Sequence, residues 1–286
     1  RFMEKYDPVR FERGELPLVI AAFVKELIDG RGPCYLDLTK CDESYWRDLV
    51  LFTWNLKTME GPAQITEMLR HQLSPALPVR FELDPKETVE EAGGVVSAWL
   101  TIDTSLARGT GHLRLKNGRI WTLLTTMQEL KGFEEPLGQR RPKGAEHGIH
   151  KHRQTWLEKR EQEAAELGRG TQPYVLVIGG GQGGIALGAR LRQLGVPHIV
   201  IDTHERPGDQ WRGRYKSLCL HDPVWYDHLP YLPFPDNWPV FAPKDKIGDW
   251  LEMYTKVMEL NYWNSTTCKK AAGLNSPAAF SFQHSV

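Results

Sequence analysis

The sequence has no net charge: 36 lysines and arginines stand against 36 aspartates and glutamates over 286 residues. A chain without a broad basic field has no general hold on nucleic acid or on an anionic membrane surface. Long apolar runs are missing too. The longest lies around Leu16–Val24, well short of the ~18 residues that a membrane-spanning helix requires. Cysteine is scarce, with Cys34, Cys41, Cys219 and Cys268 only, and no two are spaced Cys-x-x-Cys. A zinc ribbon or a dithiol redox centre therefore has no support. Scattered cysteines without a signal peptide fit a reducing, cytoplasmic setting. The chain opens on Arg1 rather than Met, so further residues are expected upstream. What is present is ordinary for a globular protein: 41% hydrophobic and 25% charged residues, in a length that allows two domains.

The first part of the chain reads as helices followed by strands. Pro17–Ile28 places Val19, Phe23 and Leu27 at helical spacing. Asp42–Thr53 repeats that spacing with Trp46, Leu49, Val50 and Thr53, and Gly61–Leu73 with Ile65, Leu69 and Leu73. Such spacing predicts helices with one apolar face. The period then shortens to two. Val79–Leu83 alternates, Val95–Ile102 is rich in β-formers, and Gly111–Leu115 and Arg119–Met127 flank the tight-turn pair Asn117-Gly118. Together these predict an α+β domain with a curved antiparallel sheet over residues 1–132. Residues 133–170 read as a solvated, basic linker with one charged helix, Gln154–Leu167. His147, His150 and His152 lie there, but no fourth ligand accompanies them, so no metal site is predicted.

From Tyr174 the pattern sharpens. Tyr174–Ile178 is a continuous apolar strand of the kind buried on both faces. It runs into Gly179-Gly180-Gly181-Gln182-Gly183-Gly184, a GxGxxG at Gly179, Gly181 and Gly184. A helix follows with Leu187, Leu191 and Leu194 on one side. His198–Ile201 forms a second strand that ends on Asp202, eighteen residues beyond Gly184. In this α/β, Rossmann-type βαβ unit, Gly179 makes the tight turn. Gly181 lets the backbone approach a pyrophosphate, and Gly184 lets helix and strand pack closely. The pyrophosphate sits on the positive end of the helix, and the carboxylate of Asp202 accepts from a ribose. FAD and NAD fit equally at this point, whereas a 2′-phosphate would be repelled by Asp202.

The residues after Asp202 carry a family resemblance. They are Gly208-Asp209-Gln210-Trp211, then Tyr215, Ser217, Leu218, His221 and Pro223, then Leu229-Pro230-Tyr231-Leu232-Pro233-Phe234-Pro235. This series resembles the FAD-binding start of the flavin-containing monooxygenases, in particular the plant YUCCA type and its microbial relatives. One departure is Asp209, where that family has a second glycine. The resemblance implies that Gly179, Gly181, Gln182, Gly183 and Gly184 hold the FAD pyrophosphate and that Asp202 holds the adenosine ribose. It also places Gln210 and Trp211 along the flavin and His221 near its ring. Arg206, Arg212 and Lys216 are read as surface or loop-bracing charges, with phosphate contact as the alternative. The dense prolines and aromatics of 207–254 are read as packing of a long connection, with a substrate wall as the alternative.

In the resembling family NADPH reduces the flavin and O₂ adds to give a flavin hydroperoxide, which oxygenates a small organic substrate. The reading is thus an NADPH- and O₂-dependent flavin monooxygenase of the N,N-dimethylaniline type, with no catalytic residue identified. A second glycine motif, the NADPH site, does not occur after residue 184, so residues 171–286 are read as an incomplete FAD-binding domain. Two alternatives stay open. One is a disulfide-reductase-type flavoprotein, for which the cysteine spacing is wrong. The other is a non-catalytic flavin-binding remnant or a ligand-binding module. The first domain, through Tyr45-Trp46-Arg47-Asp48-Leu49, Thr53-Trp54, Thr58, Gly61 and Ile65, resembles the SnoaL-like cone that precedes some microbial members. That implies either a small apolar pocket or a sheet that makes a homodimer. Asp48 is read as an exposed helix acid, with a pocket acid as the alternative.

Overall fold

The computed structural model describes residues 43–76, 79–116, 119–144, 148, 152–270 and 281–284. The helix expected over 17–28, Cys34, Cys41, the turn at 117–118, His147, His150 and the tail at 271–280 and 285–286 lie outside the described residues. The chain divides into two compact units, Arg1–Glu134 and Glu135–Val286.

The first unit contains strands β1 (Tyr45–Leu49), β2 (Leu56–Glu60), β3 (Arg80–Leu83), β4 (Glu90–Ala92), β5 (Val95–Asp103), β6 (Ala107–Lys116) and β7 (Arg119–Leu130), with helix α1 at Gly61–Ala76. They form one sheet in the order β2-β1-β7-β6-β5-β3, with β4 pairing on β5. Side chains alternate across it. Along β6 every second residue from Ala107 to Leu115 is buried, which is the signature of a sheet with one face on a core. That core gathers Trp46, Phe52, Met59, Phe81, Leu100, Leu113 and Leu123 under Ile65 and Met68 of α1. Full burial of one such side chain contributes about 1.5–3 kcal/mol.

One expected helix is a strand. Residues 45–49 pair with both β2 and β7, and Trp46 and Asp48 point inward while Tyr45 and Arg47 point out. The cause is Asp48, which is fully buried. Its carboxylate accepts the N–H groups of Phe52 and Thr53 at 3.1 and 2.8 Å and the hydroxyls of Thr53 and Thr125 at 2.7 and 2.6 Å. Thr125 in turn accepts the Trp46 indole N–H at 2.9 Å. A buried acid with that many donors fixes the turn after β1, where Val50 and Trp54 hold positive φ of 73° and 54°. Both readings of Asp48, as an exposed helix acid and as a pocket acid, are therefore corrected: it is a turn anchor. Asp48→Asn replaces an acceptor by a donor facing donors. It is expected to cost roughly 2 kcal/mol, measured by chemical denaturation.

The second unit contains α2 (Trp156–Glu166), β8 (Val175–Ile178), α3 (Gln182–Gln193), β9 (His198–Ile201), α4 (Asp209–Arg212), α5 (Lys244–Val257) and β10 (Tyr262–Trp263). Strands β11 (Thr266–Lys270) and β12 (Ser281–His284) pair antiparallel. The central sheet is parallel in the order β10-β9-β8. Helix α2 begins at a capping box in which Thr155 and Glu158 bond each other's backbone N–H. It is no free connector. Glu163 accepts from Arg192 and Asn261, and Glu259 accepts from Arg192 and from the Trp156 indole. Those charges docked the helix in a way its sequence pattern did not reveal. In α5, Ile247, Leu251 and Tyr254 are buried, as is Met258 just past its end.

Strand β9 is buried at all four positions. Its one polar member is His198. The ring donates Nδ1–H to the Val196 carbonyl at 2.9 Å, because a carbonyl can only accept. Nε2 is buried without a partner and faces Gly188, where an added Cβ would lie 3.4 Å away. Burial, with nearby Arg192, holds this imidazole below its ordinary pKa. The unfolded chain therefore takes up this proton more readily than the folded one. His198 contributes stability that is fully present above its ordinary pKa of 6.5 and is lost as the pH falls below it. In thermal melts across roughly pH 5 to 8, the second unit is expected to lose stability toward the acid end. His198→Leu is expected to flatten that slope.

Candidate functional site at the glycine turn

Strands β8 and β9 end side by side, and the chain leaves β8 through three glycines. Gly179 holds φ +102°, in the left-handed region that favours glycine, and donates its N–H to Ile201 O at 2.9 Å. Gly184, on the first turn of α3, comes so close that an added Cβ would lie 1.9 Å from the Gly179 carbonyl. Gly181 caps α3 with no side-chain hydrogen bond, and no acidic residue occupies the first turn. The first N–H groups of a helix have no partner within it, and they carry the positive end of its dipole. The turn therefore presents unpartnered N–H groups at a positive helix end, at the carboxyl ends of the strands.

Asp202 stands beside it, 8% exposed. Its Oδ2 accepts the Gly180 N–H at 2.6 Å, and its Oδ1 accepts from the backbone and ring of His204. Burial pushes this carboxyl up. The His204 and Gly180 donors outweigh that effect and hold it below its ordinary pKa. Tyr262, on β10, closes the back of the turn. Its hydroxyl donates to the Gly180 carbonyl at 3.0 Å, and burial followed by the charges of Asp202 and Asp209 pushes the phenol well up.

Beyond the turn lies a cleft of about 570 Å³ whose walls include Gln182, Gly183, Trp211, Arg214, His221, Phe234 and Trp250. Trp211 donates its indole N–H to the Gln182 side chain at 3.1 Å. The carboxamide oxygen of Gln182 is thus engaged. Gln210 lies behind Gly181, with its Nε2 3.5 Å from where a Cβ there would sit. Both polar atoms of that carboxamide are buried and without a partner. Phe234 stacks on Trp238 at 4.8 Å and meets Trp250 edge-on at 5.3 Å. Part of the aromatic segment is therefore cleft wall, and part is packing behind it.

The loop from 203 to 213 is braced as its charges suggested. Arg206 pairs with Glu252, and Arg212 with Asp209, Asp249 and Glu252. Asp209 also accepts the Arg206 N–H at 3.0 Å, which gives the departure from a second glycine a structural role. Gly208 holds φ +91° and touches Gly248 of α5, where an added Cβ would meet the carbonyl at 2.2 Å.

The structure thus brings Gly179, Gly181, Gln182, Gly183, Gly184 and Asp202 to one sheet end, with Trp211 and His221 on the wall of the adjoining cleft and Gln210 buried behind Gly181. Sequence reasoning missed Gly180, His204, Arg214 and Tyr262. Only Gly180 left a trace, as an unneeded glycine in a run of three. Among the described residues no group of histidine, cysteine or acidic side chains is arranged to hold a metal. Among them, too, no helix is long and apolar enough to cross a membrane. Cys219 and Cys268 are free.

No protein-family model matches the chain. A CzcO-like uncharacterised oxidoreductase of Geobacillus kaustophilus is 40% identical over 86 residues, 30% of this chain and 25% of that protein. Indole-3-pyruvate monooxygenase YUCCA1 of Oryza sativa subsp. japonica is 36% identical over 83 residues, 29% of this chain and 20% of that protein. Among solved structures, a flavin-containing monooxygenase from Stenotrophomonas maltophilia aligns with 25% identity and a TM-score of 0.33, over 35% of this chain and 30% of that one. The chain spans a quarter or less of these curated relatives. Over somewhat less than a third of its own length, it is similar to oxidoreductases that include monooxygenases.

Proposed function

We propose that the second unit is the FAD-binding part of an NADPH- and O₂-dependent monooxygenase acting on a small organic substrate. The observation that carries this reading is the juxtaposition of an uncapped helix end, a buried carboxylate and an aromatic cleft at one sheet end. The residues fit the dinucleotide. Gly181 leaves the backbone open, and Gln210 supplies a buried carboxamide with nothing yet bonded to it. In this reading the backbone of Gly179, Gly181, Gln182, Gly183 and Gly184 holds the pyrophosphate, and Asp202 accepts from the adenosine ribose. Gln210, Trp211 and His221 face the flavin end. Bound FAD supplies the redox and oxygen chemistry. The chain's own part is to orient the cofactor through Asp202 and to keep water off the Trp211–Phe234–Trp250 wall.

The finer assignments belong to the same proposal: the flavin-containing monooxygenase family of N,N-dimethylaniline type, and a cytoplasmic setting. The first unit is assigned as a SnoaL-like domain, supported by α1 on a sheet with bulges near Gly109 and Leu115, features that curve a sheet. Its outward face carries Trp99 against His112 and Arg114 over Trp121, a surface suited to a homodimer. The second reading is a flavin-binding remnant without turnover.

The test is reconstitution of the full chain with FAD. A yellow protein with a raised melting temperature is expected, whereas a colourless one that FAD leaves unstabilised contradicts the proposal. NADPH-dependent oxygen consumption then separates the monooxygenase from the remnant.

A further inference from the structure

Both oxygens of Asp202 are already engaged. Oδ2 accepts the Gly180 N–H at 2.6 Å. Oδ1 accepts the backbone N–H of His204 at 2.9 Å and the ring Nδ1–H of the same residue at 2.6 Å. An oxygen of this kind offers about two acceptor positions, so Oδ1 is filled by one residue's main chain and side chain together.

The two bonds differ in how firmly they are held. The main chain is fixed on both sides. Asp202 donates to Trp263 O at 3.0 Å, Thr266 donates to Asp202 O at 2.8 Å, and Ser265 donates to His204 O at 2.9 Å. The imidazole is held far less firmly. It is 45% exposed, and among the described residues it makes one hydrogen bond, to Asp202. It can therefore swing into solvent while the His204 N–H stays in place.

We infer that His204 is a built-in competitor for the adenosine ribose. Oδ2 lies on the buried side against Gly180, so Oδ1 is the oxygen that a ligand reaches. The His204 ring fills its second acceptor position, and a ribose hydroxyl that bonds there must displace it. This rests on the FAD reading of the glycine turn. With the His204 backbone N–H holding one position on Oδ1, the ring and a ribose O–H compete for the other, so at that oxygen each bonds only when the other leaves. Affinity for the adenosine half is set by that exchange and not by the carboxylate alone. A ligand without the ribose hydroxyls leaves the ring where it is.

The test is calorimetric titration of the full chain at fixed pH, wild type against His204→Ala, with ADP and with 2′,3′-dideoxy-ADP. The variant is expected to bind ADP about 3- to 10-fold more tightly, the range of one modest hydrogen bond removed from competition. The dideoxy analogue is expected to bind both proteins equally. His204→Leu, which also keeps the backbone donor and removes the ring without adding another donor, serves if the alanine variant folds poorly, with the same expectation. Equal or weaker ADP binding by the variant overturns the inference, as does an equal gain for both ligands. Failure of ADP to bind either protein overturns the FAD reading itself, and this inference with it.

Discussion

Alanine at position 180 is expected to abolish FAD binding and to destabilise the second unit by about 3 kcal/mol, at the upper end of what an extra methyl costs in a packed site. Gly180 is the residue between the first two motif glycines, and nothing about a pyrophosphate requires it to be glycine. Tyr262 does. An added Cβ would lie 2.0 Å from the Tyr262 hydroxyl oxygen and 2.3 and 2.5 Å from two ring carbons. The ring cannot step aside cheaply, since its hydroxyl bonds the Gly180 carbonyl and burial holds the phenol in place. The turn must yield instead, and the Gly180 N–H leaves Asp202 as it does so. Pairing Gly180→Ala with Tyr262→Ala removes the clash. The double variant is expected to regain part of the FAD affinity, with a favourable coupling of about 1–3 kcal/mol between contacting residues. Additive losses in that cycle would show that the two residues do not meet.

Asp202→Ala is the second large effect. It removes the acceptor from two backbone donors, Gly180 N–H and His204 N–H. Each donor left unpaired costs about 1–3 kcal/mol. In the proposed FAD reading it also removes the ribose acceptor, and FAD is expected to bind roughly 100-fold more weakly, the loss of about one charged hydrogen bond. The same residue sets an acid limit. Its folded-state pKa lies below the ordinary 3.8, so its stabilisation is present above that value and disappears as the pH falls through the lower, folded one. Asp202→Ala is expected to remove this acid-range loss and to leave the His198 slope nearer neutrality unchanged. Denaturation midpoints measured across both ranges separate the two groups.

The order of elements in the second unit was legible because each local signal led to the next, but the buried faces were not: Tyr174 and Ile178, expected inside, are exposed, and α3 buries Ile185 and Ala189 while Leu187 and Leu194 face out. Four apolar residues led into glycines, the glycines into a helical period, and that helix into a second strand ending on an acid. The first unit was read well where period two was long, as in β5 to β7. It was misread at β1, because Trp46, Leu49, Val50 and Thr53 fit a helical spacing by coincidence. The deciding residue, Asp48, looked like a surface acid until its partners at 52, 53 and 125 were known. What defeats sequence reasoning in general here is distance along the chain. Tyr262 meets Gly180 across 82 positions, and Glu163 meets Asn261 across 98. No period or spacing encodes such meetings. His204 is the opposite case, two residues from Asp202 yet unremarked, because a ring bonding an acid two positions back leaves no pattern.

The claim on which the rest depends is that the glycine turn and Asp202 grip the adenosine diphosphate half of a flavin dinucleotide. Competitive titration of the full chain with FAD, ADP and FMN measures it directly. The account predicts one FAD site per chain, displaced by ADP, weakened by Asp202→Ala, and untouched by FMN at the same concentration. FAD binding that ADP cannot displace, or that survives Asp202→Ala at full strength, would contradict it.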